Sequence, residues 1–249
     1  MSKLKNKVAI ITGASKGIGA GIAKAYGIEG ASVVVNYASD KEGADRVVNE
    51  ITSNGGKAVA IQGNVSVTAD VKSLFAEAKI AFGQIDILVN NAGVFKFEPL
   101  ETVTEEEFHR QFNTNVLGTI LATQQAVLDF GSNGGSIINL SSVVSENPPL
   151  YSVVYSATKG AVDTIAIALS KELGSKNIRV NTIAPGGVET EGTHSIGMIG
   201  GDFEKQLVAG TPLGRIGQPN DIARVAVFLA SDDARWVNGE KISVSGGFR

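Results

Sequence analysis

Residues 8–19 read VAIITGASKGIG and decide the fold of this chain. Val8–Thr12 is a short apolar run typical of a β-strand, and Gly13 opens a turn that leads into a helical pattern over Gly17–Glu29. Glycines in such a turn let a phosphate group approach the backbone, and the helix N-terminus offers free N–H groups to it. The glycines are spaced G-x-x-x-G-x-G rather than G-x-G-x-x-G, so the turn alone also fits a purely structural role.

Short β-branched runs alternate with longer amphipathic stretches along the whole chain. The runs predict strands at Val8–Thr12, Ser32–Tyr37, Ala58–Gln62, Ile87–Asn90, Ser136–Ser141, Arg179–Ala184 and Lys241–Ser245. Helical patterns cover Gly17–Glu29, Lys41–Ser53, Thr68–Phe82, Thr104–Phe130, Ser152–Leu173 and Pro219–Ala230. This order predicts an α/β fold with a single Rossmann-like, doubly wound parallel sheet and helices on both faces. Because no composition shift marks a boundary, residues 1–249 are expected to form a single dinucleotide-binding and catalytic domain.

One segment, approximately residues 186–217, departs from this alternation of strands and helices. It is rich in glycine and has no clear period, yet it carries the apolar residues Ile196, Met198 and Ile199. Apolar side chains are poorly placed in a solvent-exposed loop, so the pattern favours a flexible substrate lid. A disordered surface loop is the alternative.

The composition narrows the classes of function. A net charge of −3 gives no basic surface for nucleic acid, and the absence of cysteine excludes disulfides, thiolate metal sites and cysteine nucleophiles. No metal site is expected. No apolar stretch is long enough to span a bilayer, and Val8–Ile11, which follows three lysines, is too short for a signal peptide. We therefore expect a cytoplasmic protein with no nucleic-acid or membrane partner.

A pair of residues suited to proton transfer lies near the start of the predicted helix Ser152–Leu173. Tyr155 and Lys159 are four positions apart, so their side chains share one helix face. A nearby cation stabilises a phenolate and is expected to lower the tyrosine pKa from its usual value of about 10. The pair could then serve as a general acid and base for a carbonyl oxygen. The same spacing is also typical of a solvated helix face.

The glycine turn also matches a motif of another enzyme class. Residues 13–17 read GASKG, which fits the G-x-S-x-G nucleophile elbow of α/β-hydrolases, with Ser15 as the nucleophile. Only twelve residues precede Gly13, too few for the strand and loop that build the usual oxyanion hole. The chain has two histidines, His109 in a predicted helix and His194 in the 186–217 segment. A serine hydrolase is therefore a distant alternative.

Five motifs, in order, resemble those of the short-chain dehydrogenase/reductase family across essentially the whole chain. They are the T-G-x-x-x-G-x-G turn at 12–19, the N-N-A-G run at 90–93, the helix residue Asn115, the pair Ser142 and Tyr155 thirteen residues apart, and the P-G-x-V-x-T segment at 185–190. Motifs in this order at successive strand ends are far more specific than any one of them. The pattern is most similar to that of NADPH-dependent 3-oxoacyl and ketone reductases.

The resemblance implies catalytic roles for Asn115, Ser142, Tyr155 and Lys159. Tyr155 would give its proton to the carbonyl oxygen, or take it in the oxidative direction, and Ser142 would hydrogen-bond the same oxygen. Lys159 would lower the Tyr155 pKa and bind the nicotinamide ribose. Asn115 would hold a water that links Lys159 to solvent, and the nicotinamide would carry the hydride.

The resemblance also implies a set of cofactor-binding residues. Besides Tyr155 and Lys159, it comprises Gly13, Ser15, Lys16, Gly17, Ile18, Gly19, Asn36, Tyr37, Ala38, Ser39, Asn64, Val65, Asn91, Ala92, Gly93, Pro185, Gly186, Val188 and Thr190. Val188 and Thr190 would fix the nicotinamide carboxamide. Asn64 replaces an aspartate that the family often has after the third strand, and its amide could still donate a hydrogen bond. Asn90 is expected to tie strands together instead.

The end of the second strand predicts the choice of cofactor. NAD is usually selected by an acidic residue there, which binds the ribose 2′-OH and would repel the 2′-phosphate of NADP. Here residues 36–39 read NYAS, and the first carboxylate is Asp40, which is expected to cap the next helix. Lys16 and Ser39 could instead meet a phosphate. The expected cofactor is NADP(H).

The expected activity is NADP(H)-dependent reduction of a ketone, a 3-oxoacyl thioester or a small carbonyl compound, to a secondary alcohol. A carrier-protein-bound substrate has less support, because Asp129–Gly135 before the fifth strand holds no lysine or arginine for an acidic partner. A glucose-type sugar dehydrogenase is the alternative within the family. A non-catalytic nucleotide sensor is a distant one, since no catalytic residue is missing. Because the family commonly assembles through two long helices and its last strand, a homotetramer is expected.

Overall fold

Seven parallel strands form one sheet in the order β3-β2-β1-β4-β5-β6-β7. The structure is a computed structural model and describes residues 2–195, 197 and 199–248. The strands are β1 Val8–Ile11, β2 Ser32–Tyr37, β3 Lys57–Gln62, β4 Ile87–Asn90, β5 Gly135–Leu140, β6 Ile178–Pro185 and β7 Lys241–Val244. The order reverses between β1 and β4, so the predicted doubly wound parallel sheet is confirmed. The strand limits differ from the predicted ones by a residue at some ends, where assignment is least definite.

Helices cover both faces of the sheet. They are α1 Gly17–Ile28, α2 Lys41–Ser53, α3 Thr68–Phe82, α4 Glu105–Phe112, α5 Gly118–Asp129, α6 Val153–Leu173, α7 Glu191–Ser195, α8 Asp202–Ala209 and α9 Pro219–Ala230. Helices α1, α2 and α9 share one apolar core with the sheet, and α3, α5 and α6 share the other. Among the described residues, no helix is long and apolar enough to cross a membrane.

Strand β1 illustrates why the central strands are apolar throughout. All four of its residues are buried, with Ala9 and Ile11 in one core and Val8 and Ile10 in the other. Successive side chains of a strand point to opposite faces, so a strand covered on both faces must be apolar at every position. Because the glycine turn follows β1 directly, it lies at the carboxyl edge of the sheet.

The predicted helix Thr104–Phe130 contains a π turn. Residues 113–117 form a π-helical turn between α4 and α5, and Asn115 lies at its centre. The Asn115 side chain makes hydrogen bonds outside its own helix, to the backbone of Val94 and to Thr158. Single π turns often occur at functional sites. Apolar periodicity along the sequence does not register one inserted residue, so the sequence predicted the helical run but not its π turn.

The 186–217 segment contains the short helices α7 and α8 and is closed at its base. Val188 and Gly217 form a parallel bridge, and the Glu189 N–H donates to the Gly217 carbonyl at 2.9 Å. The two ends of the segment therefore lie side by side, which suits a flap over the sheet edge. Ile196 and Met198, which the lid prediction invoked, lie outside the described residues. The lid function stays a prediction.

Candidate active site

The glycine turn after β1 needs glycine for conformation and for space. Gly13 and Gly17 have φ angles of 61° and 59°, in the left-handed region that other residues rarely adopt. A Cβ at Gly13 would lie 2.8 Å from the Cα of Ala92, and one at Gly19 would collide with the Asn91 amide. The bare backbone turn at the N-terminus of α1 has the shape and polarity of a pyrophosphate site. These residues therefore fit the dinucleotide that the sequence implies. Ser15 and Ile18 lie half-buried in the same turn.

Two asparagines hold this turn in place. Asn91 donates from its side chain to the carbonyls of Thr12 and Gly13, at 2.8 and 2.9 Å. Asn36 accepts from the Gly13 N–H at 3.2 Å and donates to the carbonyls of Ile61 and Gly63. Only 1% of Asn36 is exposed. Its side chain is thus committed to the protein backbone and positions the glycine turn, while a contact between Asn36 and the cofactor stays a prediction.

The residues expected around the adenosine ribose differ in their exposure to solvent. Lys16, Ala38 and Ser39 are exposed, whereas Tyr37 is buried. The Asp40 carboxylate accepts from the Gly43 N–H at 3.0 Å, which confirms the predicted cap of α2. The carboxylate nearest to the end of β2 in sequence is therefore engaged at a helix N-terminus.

Two further residues of the predicted adenine edge follow β3. The side-chain oxygen of Asn64 accepts from the hydroxyl and the N–H of Ser66, which fixes the asparagine in its own turn. Val65 is buried and packs where Gly118 begins α5, since a Cβ at Gly118 would lie 2.7 Å from a Val65 methyl. Val65 thus anchors the predicted adenine-binding edge after β3 to α5.

Ser142, Tyr155 and Lys159 meet beyond the carboxyl end of β5. The Ser142 hydroxyl donates to the Pro185 carbonyl at 3.5 Å. Lys159 is buried, and its ammonium donates to the Leu140 carbonyl at 2.8 Å. The same ammonium lies 5.6 Å from the centroid of the Tyr155 ring, as the four-residue spacing on α6 predicts.

The pKa values at this site are governed by desolvation. Burial raises the pKa of the Tyr155 hydroxyl to about 12, and a hydrogen bond with Ser142 opposes the rise. Burial lowers the pKa of Lys159 to about 8, and the negative charge of Asp163 opposes that change. The expected lowering of the Tyr155 pKa is therefore not what this structure gives. The cause is that removal of water from the phenol outweighs any stabilisation of the phenolate.

Asn115 links the loop after β4 to α6. Its side chain accepts from the Val94 N–H and donates to the Val94 carbonyl, both at 2.8 Å. It also donates to the Thr158 hydroxyl at 3.0 Å, and that hydroxyl donates to the Tyr155 carbonyl at 2.7 Å. Sequence reasoning missed Thr158, although its place three residues after Tyr155 puts it on the same helix face.

The remaining predicted residues lie along the same edge. Gly93 is close to Lys159, since a Cβ there would be 3.7 Å from the ammonium nitrogen. Thr190 lies beside the glycine turn, with its methyl carbon 3.3 Å from a Cβ placed at Gly17. Val188 is buried, and Gly186 packs tightly on Ser245 after β7. Asn90 bonds to Thr123 and Asn139 inside the protein, which confirms its expected structural role.

Sequence reasoning missed one carboxylate at this edge. Glu191, the first residue of α7, accepts a hydrogen bond from the Gly17 N–H at 2.9 Å. The two residues are 174 positions apart, so no local pattern could reveal the contact. The N-terminus of α1 thus already holds an anionic group supplied by the 186–217 segment.

Comparisons with known proteins agree with this geometry. A family model described as enoyl-(acyl carrier protein) reductase matches residues 13–249. An uncharacterized oxidoreductase of Methylorubrum extorquens is 57% identical over the full length of both chains. Elsinochrome reductase 1 of Elsinoe fawcettii is 40% identical over 98% of this chain and 95% of its own. Among solved structures, the angucycline C-6 ketoreductase LanV with bound NADP superimposes with a TM-score of 0.93 at 37% identity, over 99% of this chain and 97% of LanV.

Proposed function

The chain belongs to the short-chain dehydrogenase/reductase family, and we propose that it is an NADP(H)-dependent ketoreductase. Its substrate is a ketone, either a 3-oxoacyl thioester or a small carbonyl compound, and its product is the secondary alcohol. The observation that carries this proposal is the meeting of Ser142, Tyr155 and Lys159 beside the glycine turn, at one edge of the sheet. In open α/β sheets, ligands bind at this carboxyl edge.

Tyr155 is the proton donor in this proposal. With a pKa of about 12, the phenol holds its proton throughout the neutral range and is therefore in the form that can donate it to the carbonyl oxygen. Ser142, which opposes the rise of the Tyr155 pKa, can hydrogen-bond the same carbonyl oxygen. The oxygen then receives the proton from the Tyr155 Oη as the carbonyl carbon becomes tetrahedral. When bound, the nicotinamide supplies the hydride.

Lys159 and Asn115 complete the proposed constellation. Lys159 keeps a hydrogen bond to the Leu140 carbonyl, which fixes its ammonium below the tyrosine ring and leaves it further donors for ribose hydroxyls. Asn115 fixes the loop after β4 against α6 and, in this proposal, holds the water between Lys159 and solvent. The π turn at Asn115 supports a specialised role at this position.

The preference for NADP(H) has three supports. Lys16 is exposed at the position preceding α1, and Ser39 is exposed after β2. Asp40, the first carboxylate after β2, is engaged as the cap of α2. LanV, whose structure is similar, has NADP bound. A cation and a hydroxyl near the ribose favour a 2′-phosphate.

The test is NADPH oxidation at 340 nm with a panel of ketones. Tyr155→Phe should lower kcat by about 10²–10⁴-fold, because general acid catalysis contributes that much, while NADPH affinity stays close to that of the wild type. Tyr151→Phe is the matched control, since Tyr151 is an exposed tyrosine in the turn before α6, four residues from Tyr155. Turnover by Tyr155→Phe equal to that of Tyr151→Phe would contradict the proposal.

A further inference from the structure

Two phenylalanine rings that the sequence motifs did not single out lie beside the Tyr155 ring. Phe95 and Phe97 lie with ring centroids 5.7 and 6.0 Å from the Tyr155 ring and 6.0 Å from each other. The ring planes are tilted by 52–70°, and the Phe97–Tyr155 pair, at 70°, meets edge to face. Phe97 keeps 37% of its surface exposed. An apolar aromatic wall therefore borders the phenol and remains open to a ligand.

The loop that carries both phenylalanines is fixed at each end. Val94 is held through its N–H and its carbonyl by Asn115. The Phe95 carbonyl accepts from the Arg110 guanidinium at 3.3 Å, and the Glu98 N–H donates to the Tyr151 carbonyl at 2.8 Å. A wall that is positioned before binding loses little conformational entropy when a ligand stacks on it.

The charges around this wall do not favour an anionic ligand. In residues 91–112, Lys96, His109 and Arg110 each lie within ion-pair distance of a glutamate. In the described part of 186–217, His194, Lys205 and Arg215 likewise each lie beside a carboxylate. Every basic side chain of these two segments thus has a carboxylate partner. A phosphate-bearing acyl thioester would need free cations there, whereas a neutral ring system would not.

We propose that Phe95 and Phe97 select a neutral ketone whose carbonyl lies in a ring that is fused to a planar aromatic ring. This inference rests on the proposed function and names its substrate class. The aromatic ring of the substrate lies against the exposed side of Phe97, and the carbonyl oxygen lies at Ser142 and Tyr155. Edge-to-face aromatic contacts add to simple apolar burial, and the addition corresponds to about two- to tenfold in affinity per contact.

Two ketones of matched size test the inference. 2-Tetralone has an aromatic ring fused to a cyclohexanone, and 2-decalone is its saturated counterpart. The measured quantity is kcat/KM for each ketone with NADPH. Wild-type protein is expected to prefer 2-tetralone by about tenfold, since aromatic contacts with two rings are available only to that ketone. Acetoacetyl-N-acetylcysteamine, a short 3-oxoacyl thioester, is expected to be a poorer substrate than 2-tetralone.

Leucine variants show whether the preference for 2-tetralone over 2-decalone depends on Phe95 and Phe97. Phe95→Leu and Phe97→Leu retain an apolar side chain but remove the ring, so each should lower the tetralone-to-decalone ratio about two- to tenfold. Phe108→Leu is the matched control, because Phe108 is 40% exposed on α4 and stacks on Phe112, outside the wall. NADPH affinity and the melting temperature of each variant identify any loss of folding.

The wild-type comparison decides the inference even if a variant fails to fold. Equal kcat/KM for 2-tetralone and 2-decalone, or a preference for the thioester, would overturn the aromatic substrate class and leave the ketoreductase function standing. A ratio that Phe108→Leu lowers as much as Phe97→Leu does would also overturn it. No NADPH oxidation with any ketone would overturn the proposed function itself, and the aromatic class with it.

Discussion

The carboxylate of Glu191 and the backbone N–H of Gly17 are joined by a hydrogen bond of 2.9 Å. Glu191 begins α7 in the 186–217 segment, and Gly17 begins α1 at the glycine turn. A carboxylate is stabilised by the positive end of a helix dipole. This is also the position that we assign to the cofactor pyrophosphate. The 186–217 segment therefore places a negative charge at the position where the negatively charged pyrophosphate of the cofactor would bind.

Removing this charge should strengthen cofactor binding. In Glu191→Gln, the Kd for NADPH is expected to fall about two- to fivefold at low salt, since a charge at a helix N-terminus is worth that much. Fluorescence titration of NADPH measures the Kd without turnover. Glu204→Gln is the control, because Glu204 caps the Gly200 N–H at 2.7 Å within the same segment, away from α1. An unchanged or higher Kd in Glu191→Gln would show that the contact does not compete with the cofactor.

Lys16 should determine the preference for NADPH over NADH. In Lys16→Ala, the ratio of kcat/KM for the two cofactors is expected to fall about tenfold, because a charge-assisted bond to the 2′-phosphate is lost. Steady-state kinetics with both cofactors measure the ratio. Lys72→Ala, which removes an exposed lysine of α3, should leave it unchanged. A wild-type enzyme that uses NADH as well as NADPH would refute the cofactor assignment.

Substitution of Asn36 should change the stability of the protein. In Asn36→Asp, two donors to the Ile61 and Gly63 carbonyls are lost and a carboxylate is buried, so unfolding should become easier by about 2–4 kcal/mol. Denaturant unfolding measures the change. The exposed Asn49→Asp on α2 should shift stability by less than about 0.5 kcal/mol. Similar stability for the two variants would mean that the buried amide does not hold the turn.

The pH dependence of reduction should reflect Lys159. Tyr155, with a pKa of about 12, stays protonated below that pH, whereas Lys159 loses its proton near pH 8. If the ammonium is required, kcat/KM for reduction is constant below about pH 7 and falls as pH rises through about 8. Because the Asp163 charge raises the Lys159 pKa, Asp163→Asn should move this fall to lower pH.

Asp129→Asn is the matched control for that shift. The Asp129 and Asp163 side chains are similarly buried, at 15% and 16% exposure, and each pairs with a lysine. Asp129 ends α5, and its partner Lys79 belongs to α3. A pH profile that moves equally in both variants, or in neither, would exclude Asp163 as a residue that tunes Lys159.

Assembly as a homotetramer remains a prediction. Large apolar side chains are exposed on α5 and α6, among them Leu128, Val153 and Ile167. Such exposure on long helices is typical of surfaces that pair with a second copy. Sedimentation equilibrium at micromolar concentration should give about four times the chain mass of 25.8 kDa. Ile167→Asp should reduce that mass, and a monomeric wild type would contradict the prediction.

Local sequence patterns determined the architecture. The apolar run of β1 predicted a strand covered on both faces, and the glycine at position 13 predicted the tight turn that follows it. The spacing of Tyr155 and Lys159 placed them on one helix face. The strand, the turn and the shared helix face each depend on residues that are neighbours along the chain. The sequence alone therefore predicts them.

The chemistry of the site was decided by contacts between distant segments. The environment that raises the Tyr155 pKa, the aromatic wall of Phe95 and Phe97, and the Glu191 carboxylate at Gly17 depend on packing that no local pattern encodes. Asn36 is an example: its position near the end of β2 suggested a cofactor contact, but burial committed its side chain to backbone groups. Secondary structure follows from the order of side chains, whereas desolvation and hydrogen-bond partners follow from which surfaces the folded chain brings together.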